Sequence, residues 1–346
     1  MARIGLLTGG GDCPGLNAVI RGAVRRGLLD ERHSFVGFLS GWAGVLENDA
    51  IELTRERTAG ILPRGGTILG TSRTNPYAEG GGGTEAILAT MRDRSVDALI
   101  PIGGDDTLGV ALRLHREGVP VVGVPKTIDN DIGGTDVTFG FQTAVQIVTD
   151  AIDRLHTTAE SHNRVMVVEV MGRHAGWIAT HAGIAGGADA VLVPERPFDI
   201  DQVVEHLRRR HARGPSFSIV VVAEGATARE GTLQTQGDAT ATDAFGHARL
   251  GGIGVTLERE IERRTGYETR ATILGHVQRG GTPLAFDRVL ATRFGVAAVD
   301  AIDGGRFGTM VGLRGTDIVE VPLADALSQS KLLDPVLYET AALFFG

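Results

Sequence analysis

Short apolar runs, each ending in glycine or a polar residue, recur along this chain, and longer segments of helical periodicity separate them. The runs are Ile4–Leu7, Ala98–Ile102, Val119–Val124, Arg164–Val170, Ala190–Val193 and Ser218–Ala223. A strand that is apolar at nearly every position must be covered on both faces, and the intervening helices supply that cover. The pattern predicts an α/β chain with parallel sheets, with a helix over about 15–29 and another over about 108–117. At 346 residues the chain exceeds one ordinary core, so two doubly wound domains are expected.

The 50 glycines gather where the apolar runs end. In doubly wound sheets, ligands sit beyond the carboxyl ends of the strands. The polar loops fall there: Thr8–Asp12, Gly103–Thr107, Pro125–Asp131, Met171–His174 and Glu224–Gly225. Five strand ends carrying Gly, Asp, Lys, Arg and Glu point to one composite site.

Composition narrows the classes. The net charge is −8 with no long basic block, which argues against nucleic acid as a main partner. One cysteine, Cys13, allows no intrachain disulfide and fits a reducing cytoplasm. The segment Met1–Leu7 lacks the apolar stretch of a signal peptide. No run approaches the roughly 18–20 apolar residues that span a bilayer. A cytoplasmic protein without membrane contact is expected. Glu205–Arg213 reads as a solvated helix face, 227–247 as an exposed loop, and the tail from about 304 to 346 as chain packed back on the body.

Three loops carry chemistry. In Thr8–Gly15, glycines let backbone N–H groups face an anion at a helix start, although a tight turn would also account for them. No G-x-x-x-x-G-K-[ST] is present, which excludes a P-loop. In Gly103–Thr107, Asp105 and Asp106 follow two glycines, an arrangement that suits Mg²⁺ bridging phosphates; a capped helix start needs only one acid. Pro125–Asp131 offers a cation, a hydroxyl, an amide and two acids in seven residues. Phosphoryl transfer needs such a mixture: a base at the attacking hydroxyl, placed donor phosphates and neutralised charge. Separate basic groups, Arg73, Arg164, Arg173, Arg270, His276 and Arg279, stand at glycine-bounded strand ends and favour an oxyanion site.

Taken together, Leu7–Asn17, Gly65–Arg73, Gly103–Thr107, Pro125–Asp131, Ser161–Trp177, Val222–Gly225 and Glu268–Arg288 resemble the phosphofructokinase family over residues 4 to about 300. The resemblance implies two Rossmann-like domains with the active site in the cleft between them. It places 1–140 plus 253–305 in a larger donor-binding domain, and 141–252 plus 306–346 in a smaller sugar-phosphate-binding domain. It implies phosphorylation of the 1-hydroxyl of fructose 6-phosphate, with Asp129 as base and Mg²⁺ at Asp105. Gly10, Gly11, Arg73, Gly104, Asp106, Thr107 and Lys126 would meet the donor. Thr127, Asp131, Met171, Gly172, Arg173, Glu224, His276 and Arg279 would meet the sugar phosphate, with Thr127, Arg173, Lys126 and Asp106 sharing in catalysis. Arg164 and Arg270 would reach a neighbouring subunit's site, which implies a homodimer or homotetramer.

Donor choice follows from two positions. ATP-dependent members of the family typically carry glycine where this chain has Asp106, and glycine where it has Lys126. A carboxylate at 106 would face a nucleotide's α-phosphate, and like charges in a partly desolvated cleft repel. Lys126 would serve the small pyrophosphate; pairing it with Asp106 in a structural ion pair is the alternative. Only two lysines occur, Lys126 and Lys331, so a lysine at this motif stands out against an arginine background. Pyrophosphate is therefore the expected donor, with ATP as the alternative. A non-catalytic sugar-phosphate or nucleotide sensor is disfavoured because Asp105 and Asp129 are both present, and a lipid kinase gives the Arg270–Arg279 cluster no role. Arg21 and Arg25 match the family's effector site, whereas His156 and Arg213 depart from it, so little nucleotide regulation is expected.

Overall fold

The carboxyl ends of two twisted sheets face each other across a cleft. The computed structural model describes residues 1–29, 32–233 and 252–345. The chain begins with β1 (Ala2–Thr8), α1 (Leu16–Gly27), β2 (His33–Phe38), α2 (Trp42–Leu46), β3 (Ala50–Glu52) and α3 (Gly83–Asp93). It continues with β4 (Ala98–Gly103), α4 (Asp105–Arg116), β5 (Val122–Pro125), α5 (Phe141–His162), β6 (Val165–Val170), α6 (Trp177–Ala185) and β7 (Ala190–Leu192). Then come α7 (Ile200–Ala212), β8 (Ser218–Ala223), α8 (Ile253–Thr265), β9 (Thr269–Ile273) and α9 (Ala285–Asp303). The chain closes with β10 (Thr309–Arg314), β11 (Asp317–Pro322), α10 (Leu323–Ala326) and α11 (Pro335–Ala342).

One sheet has seven strands in the order β11-β10-β5-β4-β1-β2-β3, and the other has four in the order β7-β8-β6-β9. All pairings are parallel except β2 with β3 and β10 with β11, at the two edges of the larger sheet. In the larger sheet the strand order reverses between β1 and β4; in the smaller it reverses between β6 and β9. Crevices form at such reversals, so both sheets offer their binding end to the same space.

The apolar runs explain the central strands. Every residue of β4, β6 and β8 is buried. The one acid in β6, Glu169, is buried yet satisfied: its carboxylate accepts from Gly252 N at 3.1 Å and Gly254 N at 2.7 Å, at the start of α8. A buried acid is tolerated there because the N–H groups at a helix N-terminus satisfy it. Residues 205–212 of the expected solvated face lie on α7, whose Val203, Val204 and Leu207 turn inward. From residue 234 onward the expected 227–247 loop lies outside the described residues.

Sheet membership departs from the expected division in two places. Strand β9, inside the 253–305 segment assigned to the larger half, pairs with β6 in the smaller sheet. The hairpin β10–β11, inside the 306–346 segment assigned to the smaller half, extends the larger sheet through β5. Helix α9 packs against α1. It crosses α1 so closely that a Cβ on Gly295 would stand 2.3 Å from Val19 O, which only glycine permits. Helix α4 also starts at Asp105 rather than near 108, which puts both acids in its first turn.

Candidate active site

Six strand ends build the cleft. It has a volume of about 440 Å³ and is lined by Gly10 and Gly11 after β1, Arg73, and Gly104–Thr107 at the start of α4. Lys126, Thr127, Asp129 and Asp131 follow β5; Met171, Arg173 and His174 follow β6; Glu224 follows β8; His276 and Arg279 follow β9. The structure thus brings together every sequence-derived site residue except three. Gly172 lies between two lining residues and shapes the loop, its φ of 136° open to glycine alone. Arg164 and Arg270 stand outside the cleft, and each places a guanidinium nitrogen 2.6 Å from Glu268 Oε1.

The donor side is a knot of backbone contacts. Gly10 N donates to Ser72 O at 3.1 Å, and Thr71 Oγ1 donates to Gly10 O at 2.6 Å, which draws the Arg73 loop onto the glycine turn. A Cβ on Gly11 would lie 2.7 Å from Arg279 Nη1, so the absent side chain is what admits the guanidinium. Lys126 is 4% exposed, and its Nζ donates to Gly11 O. Burial pushes its pKa below the ordinary lysine value. Beside it, burial drives the Cys13 thiol up to about 12, so this cysteine is inert packing.

The base candidate sits in a turn of its own making. Asp129 N donates to Thr127 Oγ1 at 3.0 Å, and Thr138 Oγ1 donates to Thr127 O at 2.8 Å. Asp129 Oδ1 is buried without a hydrogen-bond partner, an acceptor held ready. Burial, then the negative charge of Asp131, raises the Asp129 pKa to about 7, against the pull of Arg279 and Lys126. Burial also raises Glu224, whose strongest opposing influence is Arg279. A carboxyl poised near neutrality in a cleft is what general base chemistry asks for.

Two contributors had been given no role of their own from sequence. His174 lines the cleft beside Arg173. Gln278, fully buried, accepts from Met171 N at 3.2 Å and donates to Gly275 O at 3.0 Å, tying the His276–Arg279 turn to the β6 loop. Its place between His276 and Arg279 was the available signal.

Two doubly wound sheets, a glycine turn without a P-loop, and a buried acid in a cleft that also holds Lys126, Arg73, Arg173 and Arg279 fit a sugar-phosphate kinase of the phosphofructokinase type. The phosphofructokinase family pattern matches residues 3–302, and the chain belongs to that family. It is similar to the pyrophosphate–fructose 6-phosphate 1-phosphotransferase of Amycolatopsis methanolica, 62% identical over 346 residues, covering 99% of this chain and 100% of the relative. It is 55% identical over 339 residues to an ATP-dependent 6-phosphofructokinase of Streptomyces coelicolor, covering 98% of each. Among solved structures, Pichia pastoris phosphofructokinase in the T-state superposes with a TM-score of 0.83 at 31% identity; the match covers 99% of this chain and 36% of that longer one.

Proposed function

We propose that this chain is a pyrophosphate-dependent 6-phosphofructokinase, transferring a phosphoryl group from pyrophosphate to the 1-hydroxyl of fructose 6-phosphate. The observation that carries the reading is Asp129: a buried carboxylate oxygen without a partner, at the mouth of β5, among Lys126, Arg173 and Arg279. Asp129 takes the proton of the attacking hydroxyl. Lys126 and the amides of the 9–11 turn meet charge on the transferred and leaving phosphoryl groups. Arg173, His276 and Arg279 hold the 6-phosphate, and Thr127, Asp131, Met171, Gly172 and Glu224 frame the sugar. The phosphoanhydride consumed and the ester formed are close in free energy, so the reaction runs both ways.

Asp105 fits Mg²⁺. The described residues hold no group of three or more acids, histidines or cysteines able to cage an ion. Mg²⁺ is commonly held by one or two carboxylates with substrate phosphates completing its shell, and a carboxylate at the first turn of α4 provides the protein's share. When bound, Mg²⁺ would neutralise phosphate charge and orient the donor.

Asp106 supports pyrophosphate over ATP. It lines the same cleft as Lys126, and its charge opposes a longer polyphosphate there. The resemblance of comparable strength to an ATP-dependent relative keeps ATP as the second reading. Self-association is supported by exposed apolar side chains on β9, on the turn after it and on α9: Ile273 is 50%, Val277 62%, Phe286 47% and Val289 60% exposed. Arg164 and Arg270 stand outside the cleft of their own chain, available to a second copy's site. A monomer by light scattering would remove that part. No helix among the described residues is long and apolar enough to cross a membrane, and we place the protein in the cytoplasm.

The reaction is tested by ³¹P NMR of pyrophosphate and fructose 6-phosphate with Mg²⁺ and the protein. The pyrophosphate signal must give equal amounts of orthophosphate and fructose 1,6-bisphosphate, and the mixture must reverse when orthophosphate is added. Orthophosphate without bisphosphate would mean a pyrophosphatase instead.

A further inference from the structure

The segment 328–334 crosses from one wall of the cleft to the other, and its polar contacts converge on the turn that carries Asp129. Lys331 is the chain's second lysine. Its Nζ places all three N–H donors on one stretch of backbone and side chain: Asn130 Oδ1 at 2.8 Å, Thr135 O at 2.9 Å and Asp136 O at 2.8 Å. Its backbone N donates to Asp131 O at 2.7 Å, and its carbonyl accepts from Trp177 Nε1 at 3.0 Å. The ammonium also lies 5.5 Å from the centre of the Trp177 ring. A lysine with every donor used, on one target, is a clamp rather than a surface charge.

The target needs clamping. Asn130 separates Asp129 from Asp131, is 2% exposed and has a φ of 55°. Asparagine tolerates this left-handed conformation better than other residues with a side chain, and the contacts around Asn130 fix it there. Asn130 Oδ1 accepts from Thr138 N at 3.1 Å as well as from Lys331, so the amide oxygen joins a backbone bond and a charge-assisted one. Two residues on, Leu333 N donates to Glu195 Oε1 at 2.9 Å, and the same carboxylate accepts from Gly176 N at 3.0 and 3.1 Å. One strap therefore holds the base turn of the larger half and the loop that begins at Met171 and carries Arg173.

We propose that Lys331 is a positioning residue for phosphoryl transfer: it fixes the left-handed Asn130 turn, and through it the direction of the Asp129 carboxylate and its spacing from the sugar-phosphate loop. The assignment depends on Asp129 being the proton acceptor, and the two are separable by experiment. Lys331 does not line the cleft, so its removal leaves every substrate contact in place.

Three variants decide it. Lys331→Met keeps most of the stem against Trp177 and removes the three donors. Its kcat is expected to fall about tenfold to a hundredfold, the cost of a misplaced base. The KM values for pyrophosphate and fructose 6-phosphate should stay within about twofold, as expected for a group that acts on the transition state and not on binding. Folded Lys331→Ala should regain turnover on addition of ethylammonium, saturably, and not with tetramethylammonium, which has the charge but no N–H donor. A loss of folded protein would not distinguish the two amines. If Lys331→Ala does not fold, Lys331→Gln, with two donors, must exceed Lys331→Met in kcat. Turnover of Lys331→Met within about twofold of the parent overturns the proposal. So does a folded Lys331→Ala indifferent to ethylammonium, or equal turnover of the Gln and Met variants. Asp129→Asn, assayed alongside, reports on the base alone: full activity there would remove the base and with it this role for Lys331, whereas a loss of turnover there with an unaffected Lys331→Met would overturn only the Lys331 proposal.

Discussion

Asp129→Asn should make the enzyme worse and the fold firmer at neutral pH. The substitution keeps the side chain's shape and removes its charge. Losing a positioned base lowers turnover by about 10²- to 10⁴-fold, while binding of fructose 6-phosphate should change little. The stability effect follows from burial. The carboxyl titrates at about 7 in the fold against an ordinary 3.8. Below 3.8 it is protonated whether the chain is folded or not, and burial then carries no charge penalty. As pH rises from 3.8 to about 7 the unfolded chain ionises first, so the folded state loses on the order of 4 kcal/mol relative to it. Asparagine never incurs that loss, though its amide N–H₂ finds no prepared acceptor, at a cost of about 1–3 kcal/mol. The net gain at pH 8 is about 1–3 kcal/mol, or about 1–4 °C in melting temperature for a chain of this size. At pH 4.5 the gain should vanish or reverse. Calorimetry of both proteins at the two pH values, without substrates, reads the difference. A variant that melts below its parent at pH 8, or by the same margin at both, would refute a carboxylate destabilised by burial.

Other consequences are open to test. Asp106→Gly should raise kcat/KM for ATP relative to pyrophosphate by at least about tenfold, since one repulsive charge is removed from the donor's path; an unchanged ratio would strip Asp106 of that role. Arg279→Met should raise the KM for fructose 6-phosphate by about 10- to 100-fold, the loss of a charge-assisted contact, and an unchanged KM would move the 6-phosphate elsewhere. Cys13, with its thiol near pKa 12 and no exposed surface, should resist thiol reagents in the native protein and react once unfolded; rapid native labelling would contradict its packing.

The readable part of this molecule was its strand ends. Apolar runs between helices announce parallel sheets, and the loops after them are where a doubly wound fold must bind, so Asp129, Lys126 and Arg279 could be named from pattern. What escaped notice has physical causes. Strands β2 and β3 and the hairpin β10–β11 include partly exposed or edge positions, where the apolar signal is diluted. The placement of β9 depended on which sheet had a free edge beside β6, a matter of topology that periodicity does not encode. Lys331 gave only its rarity. No motif surrounds it, and its meaning appears when the chain folds back 201 residues to reach Asn130. Gln278 was hidden in a motif whose charged neighbours drew attention first.

The identity of the phosphoryl donor is open to one direct measurement. The unmodified protein is given fructose 6-phosphate and saturating Mg²⁺ in a coupled assay for fructose 1,6-bisphosphate, with pyrophosphate and ATP varied in parallel. The expected kcat/KM for pyrophosphate is at least about a hundredfold above that for ATP, the discrimination of a charge placed against a nucleotide in a partly dry cleft. A ratio near one, or in favour of ATP, would contradict it.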